Sequence, residues 1–236
     1  MTGNPYPQAK KIEVVDLENP SNICTLGEFP IGLSQAVGGF TKHGPLVCGG
    51  YNSGDGTRPN KCYKHNSSGQ FEETEEKLQS KREGASAVVL PNETLWIQGG
   101  WDGSVWLAST EIFDLEGSQD GIELEKKSRA QCAMMINSTT AFITGGNTGS
   151  WSAETFFFNV QTGKRTKGPK MNVQRGHHGC ALFIYNGQNY VMVAGGLPFT
   201  SSTEILDLQN GDQWNYGMSS FAKTFNKLTK QNVWEW

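Results

Sequence analysis

An all-β chain built from repeats is what this sequence predicts, and three observations predict it. A pair of glycines closes a short apolar run four times, at Gly49-Gly50, Gly99-Gly100, Gly145-Gly146 and Gly195-Gly196. A strand-like run follows each pair after a loop. It is clearest in 95–115, LWIQGGWDGSVWLASTEIFDL, where 95–98 reads as a buried strand and 110–115 alternates as a second one. The spacing is also regular. Counting from a degenerate copy, TGN at Thr2, the first glycines lie 46 (3 to 49), 50 (49 to 99), 46 (99 to 145) and 50 (145 to 195) residues apart.

Repeats of about 50 residues made of short strands predict a β-propeller rather than a helical solenoid or a leucine-rich horseshoe. Taken in order, residues 1–30 hold a half unit, with 12–17 (IEVVDL) parallel to 204–208 (EILDL) and 23–26 as an outer strand. Blade 31–81 follows, with 37–40 and 46–48 as inner strands, 61–64 as the third, and the longest loop of its kind, YNSGDGTRPN. The charged run EETEEKLQSKRE, 72–83, has helical propensity, but the repeat register makes it an outer strand and its exit. A charged outer edge also keeps a blade from pairing with strangers. Blade 82–128 carries strands at 85–90, 95–98, 110–115 and 122–125. Blade 129–170 carries them at 132–136, 141–144, 155–160 and 164–167, and blade 171–217 at 180–184, 190–194, 203–208 and 213–216. The tail 218–236 has no glycine pair, yet Met218 stands where Met171 and Leu78 stand. Its segments 221–228 and 233–236 therefore read as the strands that the amino-terminal half unit lacks. A blade shared by both termini removes an exposed edge, so closure of a partial fifth blade by the two ends is expected.

The repeat resembles the kelch repeat: an apolar strand ending in GG, a loop, a strand such as TEILDL, then an aromatic six or seven residues before Leu or Met. In one copy it reads Phe71-(six)-Leu78-(three)-Arg82. In another, with Arg165 in place of the aromatic, it reads Arg165-(five)-Met171-(three)-Arg175. The resemblance covers 1–217 and implies a kelch-type propeller of four complete four-stranded blades plus a partial fifth. It further implies one composite face, where the loops after each GG meet the entries to the inner strands. Onto that face it places Tyr51, Trp101, Trp106, Trp151 and Phe199 from the loops, and Arg82, Arg129 and Arg175 from the entries. Aromatics beside arginines are the composition of a protein-binding hot spot. The expected function is therefore a non-catalytic interaction module, a scaffold or adaptor, whose ligand is a protein or an acidic peptide carrying an apolar residue. The competing structural roles are packing of the aromatics on a neighbouring blade and binding of carbonyls around the channel by the arginines.

Composition narrows the partners. Hydrophobic residues are only 36% of the 236, but 29 glycines account for much of the shortfall, as expected of a globular chain rich in tight turns. A net charge of -3 offers no basic field for nucleic acid. No apolar run approaches the roughly 20 residues of a membrane-spanning helix. The first eleven residues, MTGNPYPQAKK, lack the apolar segment of a secretory signal. The copy at Thr2 is cut mid-strand, so a monomer or a fragment of a larger chain is expected. Five cysteines cannot all pair within the chain. Cys132 and Cys180 share a repeat position and read as small buried strand residues. Among Cys24, Cys48 and Cys62, one disulfide fits if the chain is exported. The sequons at Asn66, Asn92 and Asn137 are about as many as chance supplies and, taken as sequence, carry no inference.

No cofactor and no metal are expected. There is no CxxC, P-loop, GxSxG or HExxH. His177-His178 are neighbours on one strand and point to opposite faces, and Asp16, Asp114 and Asp207 recur as turn residues before a leucine. The enzyme alternative is a copper oxidase on the same repeat with a site at the channel mouth. It needs converging Tyr and His ligands, which nothing in the sequence sets beside Tyr51, Tyr185 or Tyr190.

Overall fold

The computed structural model describes residues 10–217, apart from 17, 20 and 22. Among them every regular element is a strand. β1 (Lys11–Val15) and β2 (Ile23–Glu28) form a two-stranded antiparallel sheet. Phe29, just beyond it, sets its ring 4.9 Å from that of Tyr63 and 5.0 Å from that of Phe71. The first full blade contains β3 (Leu33–Ser34), β4 (Val37–Thr41), β5 (Gly44–Cys48), β6 (Tyr51–Asn52), β7 (Lys61–His65) and β8 (Phe71–Lys77). Its sheet runs β4-β5-β7-β8, and β3 pairs separately with β6.

The second blade is β9 (Ser86–Val89), β10 (Leu95–Gln98), β11 (Thr110–Asp114) and β12 (Gly117–Asp120). The third is β13 (Cys132–Met135), β14 (Thr140–Thr144), β15 (Thr155–Asn159) and β16 (Arg165–Lys167). The fourth is β17 (Gly179–Tyr185), β18 (Gln188–Ala194), β19 (Thr203–Asp207) and β20 (Asn215–Tyr216). The result is four four-stranded antiparallel sheets, each in chain order, arranged as the blades of a propeller. The first strands of successive blades pack on one another, β4 on β9, β9 on β13 and β13 on β17.

Alternation along the second strands builds the core, because neighbouring residues of a strand face opposite ways and here both faces are covered. Leu95 and Ile97 join Leu46, Cys48, Cys62 and Phe113 against the first blade. Trp96, between them, turns the other way and stacks on Phe158 of the third blade at 4.9 Å. In β14 the pattern repeats: Ala141 and Ile143 face the second blade, and Phe142 packs with Val191, Leu206 and Trp214 of the fourth.

The glycine pairs join blade to blade. They follow β5, β10, β14 and β18, with φ of 66°, 60°, 61° and 66° at the first glycine and 95°, 102°, 96° and 102° at the second. Glycine reaches these values without steric cost. The N–H of Gly50 donates to the Arg82 carbonyl at 2.7 Å, that of Gly100 to Ser128 at 2.8 Å and that of Gly146 to Arg175 at 2.8 Å, each at the entry of the next blade. A Cβ on Gly49 would lie 2.5 Å from that same Arg82 oxygen, so the approach requires glycine. An inner belt of hydrogen bonds runs parallel to these. Gly84 N–H donates to Gln35 O at 3.0 Å, Ala130 to Gly84 O at 2.6 Å, and His177 to Ala130 O at 2.8 Å. All four residues are left-handed, with φ of 55° at Gln35, 60° at Gly84, 59° at Ala130 and 52° at His177. At three of them a side chain accepts a conformation costing roughly 1–2 kcal/mol, offset by the belt it completes.

Segment 72–83 is strand and exit, as the register requires, with β8 covering its first part. The outermost strand of the second blade corrects the expectation of 122–125. A tight turn ending at Gly117, φ 146°, starts β12 five residues earlier. Ile122 is then 41% exposed, while Leu124 is buried in the connection. The expected closure by 221–236 falls outside the described residues, as does Met218.

The cysteines also correct one expectation. Cys48 and Cys62, opposite each other on β5 and β7, are joined by a disulfide with Cα atoms 4.1 Å apart. Cys132 and Cys180, expected as unpaired packing residues, are joined as well, Cα to Cα 6.0 Å, tying β13 of the third blade to β17 of the fourth. Their shared repeat position puts them on first strands that face each other across a blade boundary.

Candidate functional site at the channel mouth

The antiparallel course of each sheet puts the loops after the glycine pairs and the entries to the first strands at one end of the propeller. Short antiparallel bridges lock loop to entry, Glu83 to Trp101, Arg129 to Asn147 and Gly176 to Leu197, and close two of the loops on themselves, Trp101 to Trp106 and Asn147 to Trp151. Of the expected contact residues, Phe199 is 98% exposed. Tyr51, Trp101, Trp106 and Trp151 are half-buried. Trp151 sets its ring edge to face against His177 at 6.2 Å and lines an open groove of about 350 Å³ with Asn172 and Gln174.

The arginines are where the structure departs most from expectation. Arg82 is 1% exposed and Arg175 0%. Arg82 Nε donates to Glu111 Oε1 at 2.9 Å, and Nη1 donates to the carbonyls of Gly99 and Ser109 at 2.8 and 2.9 Å. Arg175 Nη2 donates to Glu204 Oε1 at 2.7 Å, and Nη1 to the carbonyls of Gly195 and Ser202 at 2.7 and 3.0 Å. Each glutamate is in turn held by two backbone amides of the preceding connection, Gln79 and Ser80 on Glu111, and Asn172 and Val173 on Glu204. The Arg82 and Arg175 side chains are buried and bound within their own blades, with Arg175 Nε left without a hydrogen-bond partner among the described residues, so neither lies on the surface where partner contact was expected.

Arg129 is not their equivalent. The carbonyl that receives the diglycine amide in the third blade belongs to Ser128, so Ser128 holds the place of Arg82 and Arg175, and Arg129 that of Glu83. Phe156, next to Thr155, correspondingly holds the place of Glu111 and Glu204. With both partners of the ion pair missing, the third blade keeps a cavity of about 70 Å³ lined by Ser128, Gly145, Ser152, Phe156 and Arg165. That is room for about two waters. Ser128 Oγ, buried there, has no hydrogen-bond partner among the described residues.

Displaced by one position, Arg129 faces the channel mouth instead, its side chain 29% exposed. Its guanidinium lies 5.7 Å from the Trp106 ring centre, and Nη1 is 3.9 Å from Glu83 Oε1. Its Nε is buried with no hydrogen-bond partner among the described residues. On the far side of Glu83, Arg58 Nε approaches Oε2 at 2.7 Å, and its guanidinium lies 5.2 Å from the Tyr51 ring centre. Three successive blades thus contribute Tyr51 and Arg58, Glu83 and Trp106, and Arg129 to one cluster, in which a buried carboxylate lies within ion-pair distance of two guanidinium groups, each beside an aromatic ring, while Arg58 Nε and Glu83 Oε2 have no hydrogen-bond partner among the described residues. Such cation–π contacts are worth about 0.5–1 kcal/mol each at exposed sites and more when a ligand excludes water. Sequence reasoning missed Arg58 and Glu83. The signal for Arg58 was the length of the loop that carries it.

His178 lies beneath this mouth, its Nε2 2.8 Å from Thr144 Oγ1. Burial, then the charge of Arg175 and then His177, lower its pKa from 6.5 to about 4. The unfolded chain takes up this proton near 6.5 and the folded one only near 4. The stability from keeping the ring neutral is therefore present above that window and lost as pH falls through it. Unfolding by urea is expected to show about 2 kcal/mol lost through this group between about pH 7 and about pH 5. His178→Asn is expected to flatten the curve by that amount, whereas an unchanged slope would contradict the assignment. Among the described residues, no group of three or more His, Cys, Asp or Glu is placed to hold a metal.

No family model matches this chain, and no curated protein matches it.

Proposed function

We propose that this chain is a kelch-type propeller that works as a protein-interaction module, binding its partner on the end formed by the loops after the glycine pairs. The observation that carries this reading is the cluster of Arg58, Glu83 and Arg129 flanked by Tyr51 and Trp106. Two guanidinium groups beside one carboxylate leave a local excess of positive charge in a chain of net charge -3. A planar guanidinium fork binds carboxylates in two places at once, and local charge contrast guides an oppositely charged partner to the patch. Phe199, 98% exposed, supplies apolar contact on the same end. The ligand that fits is an acidic peptide segment with an apolar residue next to its carboxylates.

Selection of peptides from a random displayed library on the immobilised protein tests this. The selected sequences are expected to be acidic with an apolar residue. Their affinity is expected to fall at least about tenfold, or about 1.4 kcal/mol, in the Arg58→Ala, Arg129→Ala double variant. Lys42→Ala, at the opposite end of the propeller, is expected to leave affinity unchanged. Equal binding by the double variant and the parent, with folding intact, would put the binding face elsewhere.

A further inference from the structure

The three sequons at Asn66, Asn92 and Asn137, uninformative as sequence, acquire a common place in the fold. Each sits in a hairpin: Asn66 between β7 and β8, Asn92 between β9 and β10, Asn137 between β13 and β14. In this topology all three turns lie at the end opposite the glycine pairs. Turn chemistry favours asparagine in such turns. Yet asparagine in a turn does not by itself bring a sequon: Asn159, Asn186 and Asn210, in turns of the same end, and Asn52, Asn60, Asn147 and Asn172 at the other have no Ser or Thr two residues on. The chain's two disulfides belong to proteins folded in an oxidising compartment, the same one in which sequons are modified.

We propose that Asn92 and Asn137 are N-glycosylated, so that the end of the propeller away from the channel-mouth cluster carries the glycans. Both asparagines are exposed, and Glu93 and Ser138, the middle residues of their sequons, are exposed too. The hydroxyl of the third residue donates to the asparagine Oδ1 in each, Thr94 at 2.8 Å and Thr139 at 3.2 Å. No hydrogen bond among the described residues engages either Nδ2. Asn66 differs: it is half-buried, and its Nδ2 donates to Glu72 Oε2 at 3.1 Å. In the transfer, Nδ2 of the asparagine attacks C1 of an oligosaccharide carried on a polyprenyl diphosphate. The N–C1 bond forms, the C1–O bond to the diphosphate breaks, the amide gives up one proton, and the polyprenyl diphosphate leaves. The proposal is independent of which partner, if any, the other end binds.

Protein isolated from its own cells, treated with an amidase that cleaves N-glycans and mapped by peptide mass, decides the matter. Glycan is expected on Asn92 and Asn137, each converted to aspartate by the amidase. Asn92→Gln and Asn137→Gln, expressed in the same cells, should each lose one glycan. Protein whose mass equals that of the bare polypeptide would overturn the proposal, and so would modification of Asn66 alone.

Discussion

Replacing Glu204 by alanine is expected to cost about 3–5 kcal/mol of stability, the loss seen when one partner of a buried ion pair is removed. Glu204 and Arg175 are both 0% exposed, and the carboxylate accepts from Asn172 N at 2.6 Å and Val173 N at 3.1 Å besides the guanidinium. Its removal leaves an uncompensated cation and two amides without their acceptor. Denaturant unfolding of Glu204→Ala and of the Arg175→Met, Glu204→Leu pair measures this. The double variant is expected to recover the part of the loss due to the uncompensated cation, because apolar replacement of a buried pair is often close to neutral, but not the part due to the two amides, which still lack an acceptor. The third blade has neither charge, with Ser128 and Phe156 in the two places. A single-variant cost below about 1 kcal/mol would contradict the burial of the pair.

Removing the disulfide between the third and fourth blades is the second large effect. Cys132 and Cys180 are 48 residues apart, and closing a loop of that length constrains the unfolded chain by about 4 kcal/mol in the chain-entropy account. Cys132→Ser with Cys180→Ser is expected to lose about 2–4 kcal/mol. Cys48 and Cys62 are 0% exposed within the core between the first and second blades, whereas Cys132 and Cys180 are half-buried on first strands. Mild reductant is therefore expected to open the inter-blade bond first, read by mass after alkylation. Opening in the reverse order would contradict this placement.

The blades were legible because glycine pairs are rare signals with a mechanism. A left-handed backbone beside a neighbouring carbonyl tolerates nothing larger, so the pair marks both a strand end and a blade boundary. Arg82 and Arg175 do bind backbone carbonyls, the structural alternative the sequence offered, but their ion pairs were not legible, because these depend on glutamates 29 residues further along, Glu111 for Arg82 and Glu204 for Arg175. Both glutamates sit in strands whose alternation reads equally well with the carboxylate facing out. Arg129 was misread by one position, since only the hydrogen bond from Gly100 to Ser128 fixes the register of that entry. The strand expected at 122–125 failed for a local reason: Glu116-Gly117 turns the chain before the apolar pair Ile122 and Leu124 is reached. At the candidate site the half-buried aromatics and Arg129 came from sequence, while Arg58 and Glu83 came from the fold that brings three blades together.

A partner bound as proposed covers the end carrying the glycine-pair loops. Amide hydrogen exchange with and without the tightest selected peptide tests it most directly. Exchange is expected to slow in 51–58, 101–106 and 128–130, with the hairpins at 41–44, 91–94 and 137–139 unchanged. Slowing in those hairpins while the channel-mouth loops exchange as before would contradict it.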